Sequence, residues 1–180
     1  WYAGPSIEGP WEHIPPDQLP DDFSKIPPES DMGHLLVSVP DTLESNEAVL
    51  DQQMPQTAAI DRSATLEVEY DGDPEFALIE GTSMEYARNT GTQVLRAEGR
   101  YYAVDEGVWF VSDTPEGPYA VATARPAQVD SIPASNPHYN VKYVYIYDVQ
   151  PEVVYVGYTP GYTYSYVYGG TVIYGTGYYY

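Results

Sequence analysis

The chain has 180 residues, 27 of them acidic and 7 basic, a formal net charge of −20, and no cysteine. Phosphate contacts need Lys and Arg, so this balance argues against nucleic acid and anionic lipid as partners, and without cysteine there is neither a disulfide framework nor a thiolate metal site. No run of 18 apolar residues occurs, so no membrane span is expected; a start at Trp1 without a leader pattern reads as a processed chain or part of a longer one.

Residues 1–40 hold Pro5, Pro10, Pro15, Pro16, Pro20, Pro27, Pro28 and Pro40. Proline at this density forbids long helices and interior strands, so the segment is expected to run extended, partly as polyproline II. Trp1, Tyr2, Trp11, Ile14, Leu19, Phe23 and Ile26 recur along it as anchors, which a solvated linker would lack. The segment therefore reads as an arm that packs on something. His34–Val39 reads as a short strand ended by Pro40. Thr42 is the expected N-cap of the one good helical stretch, 43–54, which Pro55 ends.

From Thr65 onward the pattern is β. Leu66, Val68 and Tyr70 alternate with Glu67 and Glu69, and Asp71-Gly72 signals a hairpin into 76–79. Further strands are expected at 94–95, 101–104 and 108–111, the last two joined by a Glu106-Gly107 turn. The expected fold is mainly β, an antiparallel sandwich or small barrel with one short helix and the Pro-rich N-terminal arm. The domain reading is 1–60 for arm and helix, and 61–180 for a β domain with Tyr-rich C-terminal hairpins.

The tail changes character. Residues 139–180 carry 14 of the 20 tyrosines and only Lys142, Asp148 and Glu152 as charges, whereas residues 1–80 carry 18 acids. Val141, Tyr143, Tyr145 and Tyr147 are expected on one face of a strand, Val153–Val156 on the next, and Tyr162, Tyr164, Tyr166 and Tyr168 along one face of another before a Gly169-Gly170 turn. Such ladders fit a plain aromatic sheet face, a sugar-stacking surface or a subunit interface, because Tyr offers large area, few rotatable bonds and a polar tip.

The chain also repeats itself. WYAGPSIEGPW at 1–11 matches WFVSDTPEGPY at 109–119, 108 residues on. After a two-residue slip, SKIPPES at 24–30 parallels DSIPASN at 130–136. The second copy follows a strand set, residues 65–104, and the first has no counterpart. A β element without its partner exposes unpaired N–H and C=O groups. The first copy is thus expected to be completed by another subunit, by strand addition or a docked arm, the alternative being an arm folded back on its own domain. A non-closing head-to-tail contact of this kind gives a filament. The end of the chain, 175–180, weakly echoes Gly99-Arg100-Tyr101-Tyr102.

Chemistry-bearing motifs are scarce. His13, His34 and His138 have no i, i+3 or i+4 partner, so a zinc site is not expected. No nucleophile elbow, Walker loop, dinucleotide fingerprint or HExxH is present. Asp71, Asp73 and Glu75 are the weak candidates for a Ca²⁺ site, although their spacing is not that of an EF-hand. No residue stands out as catalytic, and no cofactor is expected.

The strings YDGDPEF, IEGTSMEYARNT, EGRYYAVDEGVWFVSDTPEGPY, VYVGYTPGY and VYGGTVIYGTGYYY, with GPWEHIPPDQLPDDFSKIPPES near the start, resemble a family of uncharacterised bacterial exported proteins, some labelled carbohydrate-binding. The chain also resembles the subunit of extracellular helical fibrils from environmental water bacteria. The resemblance implies an extracellular or cell-surface structural protein that is not an enzyme. Together with the half-repeat it leads to the expectation of a filament subunit, a homopolymer assembling through its N-terminal arm. Trp1, Tyr2, Trp11, Leu19, Phe23 and Ile26 would meet an open edge or groove near Tyr162, Tyr164, Tyr166 and Tyr168. The alternative is a carbohydrate-binding module that presents exposed tyrosines to a glycan.

Overall fold

The structure is a computed structural model that describes residues 1–175. The chain divides into two units, one formed by 1–54 with the described residues from Thr163 on, the other by 55–162.

The first unit opens with a small antiparallel hairpin, β1 (Tyr2–Ala3) and β2 (Glu12–His13). Residues 14–40 are not a single extended arm. They form three 3₁₀ turns, Pro16–Gln18, Asp21–Lys25 and Gly33–Ser38. The prolines explain this: Pro16 opens the first turn and Pro20 precedes the second, positions where a missing N–H costs nothing. Polyproline-like dihedrals mark the turn boundaries, as at Leu19 (φ −66°, ψ 142°) and Ile26 (φ −59°, ψ 126°).

The strand expected at His34–Val39 is therefore the third 3₁₀ turn. Leu35 N–H donates to Met32 O (3.0 Å) and Val39 N–H to Leu36 O (2.9 Å). This spacing buries Leu36 and Val39 together. The turn is fixed from both sides. A Cβ on Gly33 would lie 1.9 Å from the Pro28 carbonyl oxygen, so the backbone packs where only glycine fits. The Thr42 hydroxyl donates to the Leu36 and Val39 carbonyls (2.8 and 2.9 Å) and accepts from Ser45 N–H (3.1 Å). Thr42 is thus the expected N-cap of α1 (Leu43–Asp51). The helix ends three residues before the expected Met54, and turn-type bonds to Leu50 and Asp51 lead out toward Pro55.

The second unit holds β3 (Gln56–Asp61), β4 (Thr65–Leu66), β5 (Phe76–Leu78), β6 (Glu85–Ala87), β7 (Gln93–Ala97), β8 (Arg100–Asp105), β9 (Val108–Ser112), β10 (Tyr119–Val121), β11 (Val144–Val149) and β12 (Val153–Tyr158). Seven strands form one antiparallel sheet in the order β4-β10-β9-β8-β7-β6-β5, and three form another, β11-β12-β3. The expected hairpin at Asp71-Gly72 is absent: β4 and β5 lie on opposite edges of the large sheet, and Val68 N–H goes to Glu116 O. A proline at 74 and the carboxylates around it make a wide loop where sequence pattern suggested a tight turn.

Both faces of the large sheet are covered, which is why β7 to β9 read as buried runs and not as alternation. Leu95, Tyr102, Val104 and Trp109 pack with Ile79, Met84, Val129, Ile132, Val141 and Val144. On the opposite face Val94, Ala103 and Phe110 pack against Val154 and Val156 of the small sheet. The protein is mainly β, an antiparallel sandwich with no closed barrel. Residues 141–143, expected in a strand, lie in the 3₁₀ turn Tyr139–Tyr143, which delivers Val141 to the core, and β11 starts at Val144.

The chain then returns to the first unit with the hairpin β13 (Tyr166–Tyr168) and β14 (Thr171–Ile173), which packs on α1 and the 33–38 turn. The division at 60/61 expected from sequence differs from this. β3 belongs to the second unit because it pairs along its whole length with β12, and the C-terminal hairpin belongs with the N-terminal segment.

Candidate functional site

The repeat visible in sequence is also a repeat of structure. In the first hairpin Tyr2 opposes His13 and Ala3 opposes Glu12; 108 residues on, Phe110 opposes Val121 and Val111 opposes Ala120. Ile14 N–H donates to Trp1 O (2.9 Å), as Ala122 N–H does to Trp109 O (2.8 Å). In the connecting turns Ser6 Oγ donates to Gly9 O and Thr114 Oγ1 to Gly117 O, both glycines have positive φ, and both Gly–Pro bonds are cis.

The correspondence continues after the two-residue slip. Ile26 N–H to Phe23 O matches Ile132 N–H to Val129 O; Ser30 to Pro27 matches Asn136 to Pro133; Gly33 to Ser30 matches Tyr139 to Asn136. Each copy closes on its tryptophan: Trp1 Nε1 donates to Ser38 O (2.7 Å) and Trp109 Nε1 to Val144 O (3.0 Å). Residues 1–38 and 109–144 are thus two examples of one unit: a hairpin, 3₁₀ turns, and a Trp clamp between start and end.

What covers the two units differs. β9 pairs with β8 on one side and β10 with β4 on the other, and Trp109 is fully buried. Among the described residues β1 and β2 pair only with each other. Tyr2 is 66% exposed and Trp11 52%. Trp1 is half-buried, edge-on to Phe23 at 5.2 Å, in a groove it shares with His13, Leu35, Tyr168, Val172 and Ile173. In the second copy the turn is also clamped: the hydroxyls of Tyr70 and Tyr119 both donate to Pro115 O (3.1 and 2.7 Å). Burial there pushes Tyr70 up to about 12 and raises Tyr119 further, so both remain neutral donors. The first-copy equivalent of Pro115 is Ile7, 90% exposed.

The residues expected at an interface therefore separate. Tyr2 and Trp11 face solvent, while Trp1, Leu19, Phe23 and Ile26 are half-buried in their own unit. The arm is not a free limb. The expected ladder Tyr162–Tyr164–Tyr166–Tyr168 is not one strand face. Tyr162 lies in the 3₁₀ turn Pro160–Thr163 against Tyr158 at 5.1 Å, and Tyr164 has φ 62°, which reverses the chain; only Tyr166 and Tyr168 share β13. Pro160 and Gly161 break the strand periodicity that sequence alternation suggested. The echo of Gly99–Tyr102 at 175–180 falls, after Gly175, outside the described residues.

Asp71, Asp73 and Glu75 lie in a loop built around Asn89. Its Nδ2 donates to the Asp71 and Asp73 carbonyls (both 2.8 Å) and its Oδ1 accepts from Glu75 N–H (2.9 Å). Among the described residues their carboxylates are not brought into a cluster with other ligand-type residues.

A second surface is formed by part of the other expected tyrosine ladder. Tyr145 and Tyr147 stack at 6.1 Å with 28° between planes, and Arg125 lies 5.0 Å over Tyr145. They border an open groove with Thr123 and Asp148. Arg125 is held by Asp130 and by the Lys142 carbonyl. A bulge between Ile146 and Asp148 turns Tyr147 outward, 50% exposed. No family model, no curated protein and no solved structure matches this chain.

Proposed function

We propose that the protein is a structural subunit of an extracellular bacterial filament, which assembles head to tail when another subunit completes the first copy of its duplicated β unit. The observation that carries this is one hairpin present twice in one register, flanked on both sides in the second copy and on neither side in the first among the described residues. An open pair of edges beside a half-exposed tryptophan favours strand addition. The reading changes the role of the N-terminal segment: the folded hairpin receives or adds a strand, with Tyr2 and Trp11 as its exposed aromatics, and it does not detach as an arm. Location outside the cell rests on the resemblance alone.

Negative-stain microscopy of the purified chain, of a deletion of residues 1–31 and of Tyr2→Glu tests this. The parent is expected to form filaments and both variants to lose them. Filaments of the same form in both variants would sink the proposal.

The second reading, a carbohydrate-binding module, is favoured by the stacked Tyr145–Tyr147 pair beside Arg125 and Asp148. Glycan-array binding by monomeric protein, lost in Tyr147→Ala, would support it over the filament.

A further inference from the structure

The edge strands of this protein are not equally protected. Exposed strand edges are templates for pairing, and proteins blunt them by shortness, charge, proline, bulges or cover. Among the described residues β1, β2 and β4 are two residues long and β5, β13 and β14 three. β11 is longer, but a bulge breaks it, Asp148 stands on it, and Trp109 Nε1 and Arg125 take up its Val144 carbonyl. β3 has none of these devices. It runs six residues in unbroken register with β12, among the described residues it pairs on that side alone, and five of its six residues are exposed. Gln56-Thr57-Ala58-Ala59-Ile60 carries no charge in a chain of net charge −20. Its one charge, Asp61, is turned back on its own loop, where its carboxylate accepts from Ser63 N–H (2.8 Å) and Ser63 Oγ (2.7 Å).

We propose that β3 is a self-pairing edge, and that its occupant is β3 of a second copy, antiparallel about a two-fold axis at Ala59. Self-recognition follows from the residues. In that register Ala59 meets Ala59 of the copy, Ala58 meets Ile60, and Thr57 meets Asp61, whose carboxylate can accept from the threonine hydroxyl. No like charges face each other, so a strongly acidic molecule can approach its twin here without direct repulsion. A foreign basic segment would find no carboxylate row to bind. The pairing extends β11-β12-β3 into a six-stranded sheet and is isologous, so it closes at two copies. Head-to-tail growth through the first hairpin would then be accompanied by lateral pairing, two filaments side by side. The edge argument stands independently of that growth.

Two substitutions test it in the full-length chain. Ala59 is exposed and lies opposite Tyr155, itself 41% exposed, so Ala59→Lys changes an outer position and should leave the fold and its circular dichroism intact. It places the two lysines opposite each other at the two-fold axis. Ala59→Thr keeps the position neutral and adds a β-branched side chain. Sedimentation equilibrium at several concentrations, on molecules with the first hairpin blocked by Tyr2→Glu, is expected to show a monomer–dimer equilibrium. Ala59→Thr should preserve or tighten it, and Ala59→Lys should abolish it. Hydrogen exchange at residues 56–61 should slow with concentration in the Thr variant alone of the two. A Tyr2→Glu protein that stays monomeric at millimolar concentration, or dimers that persist unchanged in Ala59→Lys, would overturn the proposal.

Discussion

Trp1 and Trp109 occupy equivalent positions and make the same bond, so truncating each measures how complete its unit is. Trp109 is fully buried among Leu95, Tyr102, Val104 and Met84, and its Nε1 bonds Val144 O. Trp109→Ala removes a buried indole and is expected to cost about 3–5 kcal/mol, of which the hydrogen bond is about 1. Trp1 bonds Ser38 O but is only half-buried, with one side toward an open groove. Losing half the burial and the same bond should cost about 1–2 kcal/mol in the monomer. Urea titration followed by far-UV circular dichroism, at concentrations below assembly, reads both. At assembling concentrations the order should reverse in consequence: Trp1→Ala should reduce filament yield, while Trp109→Ala, studied in its folded range, should not. Equal costs for the two variants in dilute solution would mean that the first unit is already closed by its own chain, and the idea of an incomplete copy would fail.

Three further outcomes are expected. His138 sits edge-on to Tyr86 at 5.3 Å with its Nε2 buried, and burial lowers it to about 4. The folded protein therefore binds fewer protons than the unfolded chain between pH 6.5 and about 4; stability is full above 6.5 and falls by about 1.4 kcal/mol per pH unit through that window. Urea midpoints measured across it should lose this slope in His138→Gln relative to the parent, and an identical slope in both would refute the assignment. Gly33→Ala drives a Cβ into the Pro28 carbonyl; the first unit should lose at least about 2 kcal/mol, seen as faster hydrogen exchange at residues 35–39, with the second unit unaffected. Because the net charge is −20, filament formation should strengthen as salt rises from 0.01 to 0.15 M, where the screening length falls from about 30 to about 8 Å; light scattering that decreases with salt would point to ion-pair contacts in place of neutral edges.

The sequence was most legible where local pattern and tertiary structure agree. The strands of β8 and β9, the Glu106-Gly107 turn between them, the Thr42 cap and the Gly169-Gly170 hairpin all follow from side-chain alternation or turn chemistry acting within a few residues. The duplicated unit was legible too, because its turn depends on Gly and Pro at fixed offsets. Legibility failed where an apolar run had no strand to pair with. His34–Val39 has strand-like composition, but with Gly33 locked on Pro28 and Thr42 bonding its carbonyls the 3₁₀ turn satisfies the backbone locally. The Asp71-Gly72 signal failed for a topological reason: β4 finds β10, far along the chain, and not its sequence neighbour. The tyrosine ladder failed because alternation cannot register a left-handed residue such as Tyr164. Of the candidate site, the duplicated copy and the shared face of Tyr145 and Tyr147 were readable, whereas Arg125 over Tyr145, the bulge at Tyr147 and the bare edge of β3 depend on tertiary packing and sheet order, which no local pattern encodes.

Charge placement ties the two proposed contacts together. A chain with 27 acidic residues repels its own copies at almost any surface, so association is confined to places where carboxylates are absent or engaged. Tyr2-Ala3 and residues 56–60 are such places, and both lie on strands that, among the described residues, lack a neighbour on one side. On the other long edge, β11, Asp148 stands beside the bulge, where it also blocks strand pairing. In this chain acidity and open backbone act as a filter: the charge suppresses promiscuous pairing that a bare edge invites, and the two neutral edges remain as the surfaces where a partner of matching shape can close the gap. Neutralising the acids wholesale would remove that filter, and the same edges proposed for ordered assembly would then be open to unspecific aggregation.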